Sequence, residues 1–145
     1  MKILIINGPN LNKLGQREPE HYGCSTLDQI IKMTENKIAD LDNQISLDWK
    51  LSNHEGEIVE WIQKAEGIYN GVIINPGGYA HSSVAILDAL RLYKGIKVEV
   101  HLSKISGRDE FRQKLITSQG VDILLEGLLD LSYFIAVYTI YAKKN

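Results

Sequence analysis

Side chains that often serve in proton transfer and anion binding follow the apolar runs of this sequence. Asn10 and Tyr22 lie in the long polar segment after the first run, His81 follows the third, and His101 lies near the end of the fourth. Phenol and imidazole groups can act as general bases or acids, and amide groups can stabilise an oxyanion. If the fold brings these residues together, they form a candidate acid–base site.

Each of these residues also has a purely structural interpretation. Asn10 can cap a turn, Tyr22 can anchor a loop through its amphipathic ring, and His81 can mark the start of a helix. His101 and Glu99, two residues apart on one face of a strand, can form a satisfied structural pair. The residue types alone leave these alternatives open, so their positions in the fold must decide between them.

Five short runs rich in apolar and β-branched residues predict strands at 3–6, 45–51, 72–74, 98–102 and 121–125. Four of them are almost continuously apolar, which is typical of strands covered on both faces. The second run alternates between apolar and polar residues, so we expect it at an edge of the sheet with one wet face.

Between the strands, apolar residues recur every three or four positions and predict helices at 27–41, 58–68, 84–90, 111–115 and 128–142. Ser25 or Thr26 can cap the first helix, and Ser82 or Ser83 the third. The segment 53–57 is expected only to cap the second helix, and we assign it no chemistry. The last helix is expected to bury Leu128, Leu131 and Tyr138.

This alternation predicts a flavodoxin-like α/β three-layer sandwich with a five-stranded parallel sheet in the order 2-1-3-4-5. Residues 1–145 are expected to form a single catalytic domain. Ligands bind such sheets at the carboxyl ends of the strands, where the winding reverses between strands 1 and 3. The candidate residues follow those strand ends. The loop after strand 1 is unusually long and carries Gly15 and Gly23 as candidate hinges.

Composition excludes several classes of function. The 145 residues carry a net charge of −2, which gives no electrostatic footprint for nucleic acid or an anionic membrane. Arg108 and Arg112, four residues apart, can bind a small anion or form a solvated helix face.

The single cysteine, Cys24, cannot form an internal disulfide, and no apolar run approaches the roughly 18 residues of a membrane span. His21 and Cys24 have no further metal ligands beside them, so we expect no metal. Because no membrane span is predicted, we expect a cytoplasmic location.

Five sequence blocks resemble the signatures of type II 3-dehydroquinate dehydratases, in the same order and over nearly the whole chain. The first block runs from Gly8-Pro9-Asn10-Leu11-Asn12 through Arg17-Glu18-Pro19 to Tyr22-Gly23. The others are Ser52-Asn53-His54-Glu55-Gly56-Glu57, Asn75-Pro76-Gly77-Gly78-Tyr79-Ala80-His81-Ser82-Ser83, Glu99-Val100-His101-Leu102-Ser103 and Arg108-Asp109-Glu110-Phe111-Arg112.

The resemblance implies a hydro-lyase of the shikimate pathway of aromatic amino acid biosynthesis. It implies an anti elimination of water from 3-dehydroquinate through an enolate, without Schiff base, metal or cofactor. Tyr22 would be the base, kept ionised by Arg17, and His101 the acid, with Glu99 beside it. Asn10 would hold a water against the enolate oxygen.

The same resemblance implies the substrate contacts and the assembly. Asn75 and the backbone of Leu102 and Ser103 would bind the carboxylate, His81 and Arg112 would hold the ring hydroxyls, and Asp88 would reach a neighbouring subunit's site. The family's assembly is a dodecamer of four trimers.

Two departures from the family pattern concern subunit contacts and affinity rather than the reaction. Leu129 and Ser132 stand where the family usually has glycine, although Tyr133 is kept, and Lys13 near the site entrance replaces an apolar residue.

Two other functions stand beside the dehydratase. They are an enzyme of similar overall reaction that forms an imine at Lys104, and a non-enzymatic flavodoxin-like module that binds a nucleotide or flavin.

Overall fold

A computed structural model describes residues 1–16 and 24–144 of the protein. Its strands are β1 (Lys2–Asn7), β2 (Ser46–Leu51), β3 (Gly71–Asn75), β4 (Ile96–His101) and β5 (Ile123–Glu126). Its α-helices are α1 (Leu27–Leu41), α2 (Glu55–Lys64), α3 (Val84–Leu92), α4 (Glu110–Gln113) and α5 (Ser132–Lys144). Short 3-10 helices lie at Leu11–Lys13, Gly77–His81, Ile105–Gly107, Thr117–Gly120 and Leu129–Leu131. None of the described helices is both long enough and apolar enough to span a membrane.

All strand pairs are parallel, and the order β2-β1-β3-β4-β5 confirms the predicted topology. The edge strand β2 is at best half-buried, as its alternating sequence predicted, whereas every residue of β3 is buried. Asn7 pairs with Asn75 across β1 and β3, so the two asparagines end neighbouring strands at the point where the winding reverses.

Alternate residues of each central strand enter two separate cores, because successive side chains point to opposite faces of a sheet. On one face, Ile3, Ile5 and Ile73 pack with residues of α1 and α5. On the other face, Leu4, Ile6 and Val72 pack with residues of α2 and α3. These cores fix the three-layer sandwich and hold the strand ends in place.

The structure selects one capping residue from each pair that the sequence offered. Thr26 begins α1 with a capping box, since its hydroxyl accepts from the backbone of Gln29 and its own N–H donates to the Gln29 side chain at 2.9 Å. Ser83 begins α3, where its Oγ accepts from the N–H of Ile86 at 2.9 Å. Helix α3 therefore starts directly behind the loop that carries His81.

The expected ends of two helices and one strand are wrong. Helix α2 ends at Lys64, because the chain turns through Gly67 with a φ of +73°, and Ile68 beyond it is exposed. The fourth helix is a single turn that leaves Phe111 exposed. Strand β5 starts at Ile123 rather than at position 121, two residues after the 3-10 helix Thr117–Gly120 ends.

The expected buried face of the last helix is also wrong. Leu128, Leu131 and Tyr138 are exposed, whereas Tyr133 and Val137 are buried. The chain passes through the 3-10 helix Leu129–Leu131 and only then enters α5, so the helical phase restarts at Ser132.

Candidate active site

A cavity of about 140 Å³ opens at the carboxyl ends of β1, β3 and β4. Seven residues that the sequence predicted line it, although they come from four separate segments of the chain: Asn10, Asn75, His81, His101, Leu102, Ser103 and Arg112. Arg108 lines it as well. The cavity thus combines amides, imidazoles and guanidinium groups in the crevice where such sheets bind ligands.

Asn10 is held in the left-handed region, with a φ of +68°, at the start of the 3-10 helix Leu11–Lys13. Asparagine tolerates this conformation better than most residues. Its backbone N–H donates to Oδ1 of Asn53 at 2.9 Å, and its side chain makes no capping hydrogen bond. The turn is therefore braced from outside, and the carboxamide is left for the cavity.

Asn53 is a contributor that sequence reasoning missed. The segment 53–57 was expected only to cap α2, but the N-cap residue His54 makes no side-chain cap bond. Ser52 bonds Glu57 instead, and Asn53 supports Asn10. The predicted neighbourhood of β1 and β2 could have indicated this contact. Because the two strands are parallel, the residues after β2 lie beside the loop after β1.

His101 and Glu99 form a buried pair on β4. Nε2 of His101 lies 2.7 Å from Oε1 of Glu99, and the second carboxylate oxygen accepts from Oγ1 of Thr117 at 2.7 Å. Both Glu99 and Thr117 are fully buried. With Nε2 engaged, Nδ1 is the ring nitrogen of His101 that a ligand in the cavity can use.

Sequence reasoning found the Glu99–His101 pair from its spacing but missed Thr117. Thr117 lies in a 3-10 helix between the expected fourth helix and fifth strand, and no periodicity marks it. Its hydroxyl is nevertheless what fixes the rotation of the Glu99 carboxylate.

His81 is oriented by the backbone of Lys114. Nδ1 lies 3.1 Å from that carbonyl oxygen, which can only accept, so Nδ1 carries the proton. Burial is the main cause that lowers the pKa of His81 below its ordinary value, and the charges of His101 and Arg112 lower it further. The hydrogen bond to the Lys114 carbonyl and the charge of Glu99 act in the opposite direction. The ring is thus neutral at neutral pH, with Nε2 as a hydrogen-bond acceptor.

Two arginines of the cavity lining, Arg108 and Arg112, favour an anion. Arg108 donates to Oγ of Ser103 at 3.3 Å, and Nε of Arg112 lies 3.7 Å from a carboxylate oxygen of Asp109. Nε of Arg112 is buried without a hydrogen-bond partner among the described residues. The Leu102 carbonyl accepts from the N–H of Leu129 at 3.0 Å, which fixes the turn after β4.

Of the predicted site residues that the structure describes, Asp88 does not join this group. Asp88 lies on the exposed face of α3, 4.0 Å from Arg91, and does not line the cavity. Arg17 and Tyr22 lie outside the described residues, as does the candidate hinge Gly23, whereas Gly15 has a φ of +81°. Within residues 1–16 and 24–144, no three His, Cys, Asp or Glu side chains cluster as metal ligands.

The parallel sheet, its two helical layers and the cavity at its strand ends define a flavodoxin-like α/β protein with a candidate acid–base site. The model of the family described as "Dehydroquinase class II" matches residues 1–141. The chain belongs to this family.

Individual relatives agree with that assignment. The chain is 51% identical to a 3-dehydroquinate dehydratase from Bartonella tribocorum over 125 residues, covering 86% of this chain and 83% of that protein. It is 47% identical to the Bartonella henselae 3-dehydroquinate dehydratase over 145 residues, covering 100% and 97%. A crystal structure of a type II dehydroquinase from Butyrivibrio crossotus superposes with a TM-score of 0.92 at 39% identity, covering 97% of each chain.

Proposed function

We propose that this chain is a hydro-lyase that removes water from 3-dehydroquinate to give 3-dehydroshikimate, the third step of the shikimate pathway of aromatic amino acid biosynthesis. Membership of the class II dehydroquinase family supports the activity. The observation that carries the proposal is the buried Glu99–His101 pair, which borders a cavity lined by arginines and amides. That arrangement suits protonation of a leaving group on a small anionic substrate.

The first step is removal of the C2 proton by Tyr22, which leaves the electron pair in an enolate. An unperturbed tyrosine has a pKa of about 10, so stabilising its phenolate by about three units requires roughly 4 kcal/mol. One nearby arginine lowers a pKa by about 1–3 units, so Arg17 needs help from a second cation. Arg108 and Arg112 on the cavity wall are candidates for that charge.

The second step breaks the C1–O bond. The oxygen pair of the enolate re-forms the C3 carbonyl, and the C2–C3 π pair moves to form the C1–C2 double bond. The departing hydroxyl takes the C1–O pair and a proton from His101 and leaves as water. Glu99 orients the imidazole through Nε2, while Thr117 holds Glu99. Asn10, whose carboxamide is not used in capping, is suited to hold a water against the enolate oxygen.

Substrate orientation follows from the remaining residues of the cavity. Asn75 and the backbone of Leu102 and Ser103 would bind the carboxylate. Neutral His81 presents Nε2 as an acceptor for one ring hydroxyl, and the guanidinium of Arg112, which lines the cavity, can donate to another.

Assembly as a dodecamer of four trimers belongs to the same proposal. Asp88 is exposed together with Val84 and Leu92, which lie one helical turn to either side on α3. An uncovered stripe of this kind fits contact with a neighbouring subunit whose site Asp88 would reach. We expect sedimentation to show the dodecamer, and a monomer with full activity would contradict it.

Two further parts of the proposal concern organisation and location. Residues 1–145 would act as one catalytic domain, since the cavity draws on β1, β3 and β4 and on the loops that follow them. The presence of a single cysteine fits a cytoplasmic location, where thiols stay reduced.

The direct test is ultraviolet absorbance after purified protein is mixed with 3-dehydroquinate, because the product is a conjugated enone carboxylate and the substrate is not. We expect the absorbance to rise and the rise to be insensitive to chelator and to borohydride. Borohydride trapping would instead indicate imine chemistry at a lysine such as Lys104. A coloured ligand that copurifies with an inactive protein would indicate a binding module.

Replacing Tyr22 tests the assignment of the base. In Tyr22→Phe, turnover should be lost while binding of 3-dehydroquinate is largely kept, because only the phenolic oxygen is removed. Substantial residual turnover in this variant would refute Tyr22 as the base.

A further inference from the structure

A continuous chain of hydrogen bonds runs behind the cavity from β2 to Asn75. Nδ2 of Asn7 donates to the carbonyl of Lys50 at 3.3 Å, and Oδ1 of Asn7 accepts from the Tyr133 hydroxyl at 2.6 Å. That hydroxyl accepts from Nδ2 of Asn75 at 3.1 Å, and Oδ1 of Asn75 accepts from the N–H of Gly77 at 3.3 Å. Tyr133 is fully buried and does not line the cavity.

Donor and acceptor capacities allow only one direction for this chain. The Lys50 carbonyl can only accept, so the amide nitrogen of Asn7 faces it and Oδ1 of Asn7 faces Tyr133. The hydroxyl has one proton and must donate it to Oδ1 of Asn7. It can then only accept from Asn75, which turns Nδ2 of Asn75 towards Tyr133.

The reversed orientation of Asn75 would create two conflicts. Oδ1 would face a hydroxyl oxygen whose proton is already used, and Nδ2 would face the N–H of Gly77. Burial also raises the pKa of Tyr133 above its ordinary value, more than the hydrogen bond from Asn75 lowers it, so the hydroxyl keeps its proton at all working pH values.

We propose that Tyr133, held by Asn7, is a positioning residue that fixes the carboxamide of Asn75 so that its remaining N–H serves the substrate's carboxylate. This rests on the proposed function, in which Asn75 binds that carboxylate. Tyr133 itself touches no substrate and acts through Asn75 alone. The selectivity of the site for a carboxylate over a neutral amide therefore depends on a hydroxyl outside the cavity.

The test compares the Kd of 3-dehydroshikimate with the Kd of its primary carboxamide, measured by calorimetry on the full-length protein. The wild type should bind the acid more tightly. Tyr133→Phe keeps the ring but removes the hydroxyl. A reversed Asn75 then meets one conflict, at the N–H of Gly77, instead of two, so the orientation that presents its oxygen becomes accessible. We expect the preference for the acid to fall about 5- to 10-fold, with KM rising more than kcat falls.

A second variant and a control keep the test decisive. Asn7→Leu removes the acceptor that sets the direction of the hydroxyl, so it should reduce the preference similarly, and the double variant should lose no more. Either single variant suffices if the other does not fold. Trp49→Phe is the control, because the Trp49 ring packs edge-on against Tyr133 at 5.3 Å without joining the chain. It should lower the Tm and leave the preference unchanged.

The outcomes separate the two proposals. A wild type that binds acid and amide equally would overturn the carboxylate site of the proposed function. A wild type that prefers the acid, with the preference unchanged in Tyr133→Phe and Asn7→Leu, would overturn the role of Tyr133 and leave the proposed function standing.

Discussion

The hydroxyl of Thr117 should matter to both stability and catalysis, because it is the fixed partner of the Glu99 oxygen that His101 does not use. The bond is 2.7 Å long, and both residues are completely buried. Thr117→Val keeps the shape of the side chain and removes only the donor. The Glu99 carboxylate then keeps one partner, His101, and loses the bond that sets its rotation.

The magnitude follows from the burial. A hydrogen bond to a charged group contributes about 1.5–3 kcal/mol, and water cannot replace the donor at a site without exposure. We therefore expect Thr117→Val to lower the free energy of unfolding by about 2 kcal/mol. Because small displacements of a catalytic group are costly, the altered Glu99 rotation should lower kcat by about 10-fold.

The assay measures kcat and KM from the absorbance of the enone product, with urea unfolding in parallel. Thr117→Ser is the matched control, since it keeps the hydroxyl and loses a methyl group, and its kcat should stay within about twofold of the wild type. If Thr117→Val were as active as Thr117→Ser despite its lower stability, Thr117 would support the fold alone. A rise in KM at constant kcat would also refute the reasoning.

Three further predictions concern single positions. Burial is the main cause that holds the pKa of His81 below its ordinary value of about 6.5. KM should therefore be constant near pH 7 and should rise in acid, at pH values below that lowered pKa, where Nε2 becomes protonated. His81→Gln should abolish this rise, and its persistence would assign the titration to another group. Leu129 has a φ of +47°, so Leu129→Gly should be about 1 kcal/mol more stable to urea than Leu129→Ala, and equal midpoints would contradict this strain. A Cβ on Gly8 would lie 2.5 Å from the Pro76 carbonyl oxygen, so Gly8→Ala should lose stability and activity, whereas Gly56→Ala, with nothing within 4 Å, should lose neither.

Local patterns in the sequence were sufficient for the architecture. Strands buried on both faces read as apolar runs, and the alternating run at 45–51 marked β2 as an edge. The spacing of Glu99 and His101 also sufficed, because residues two apart on a strand share a face. These features depend on neighbours along the chain, which periodicity records.

Periodicity failed where the chain changed its local geometry. The 3-10 helix Leu129–Leu131 reset the phase of α5, so the residues expected on its buried face are exposed and Tyr133 is buried instead. A helical spacing that is extrapolated across a turn gives the wrong buried face, because the turn changes the phase of the helix that follows it.

What the sequence by itself determined is the order of the sheet, the edge at which chemistry-bearing residues gather and the blocks that point to the family. Only the tertiary structure decided which side chains support them. Asn53 braces Asn10, Thr117 holds Glu99, and Tyr133 reaches Asn7 across 126 positions of the sequence. The physical reason is that these are single hydrogen bonds between distant segments, and their partners are chosen by strand register and helix phase rather than by any local pattern.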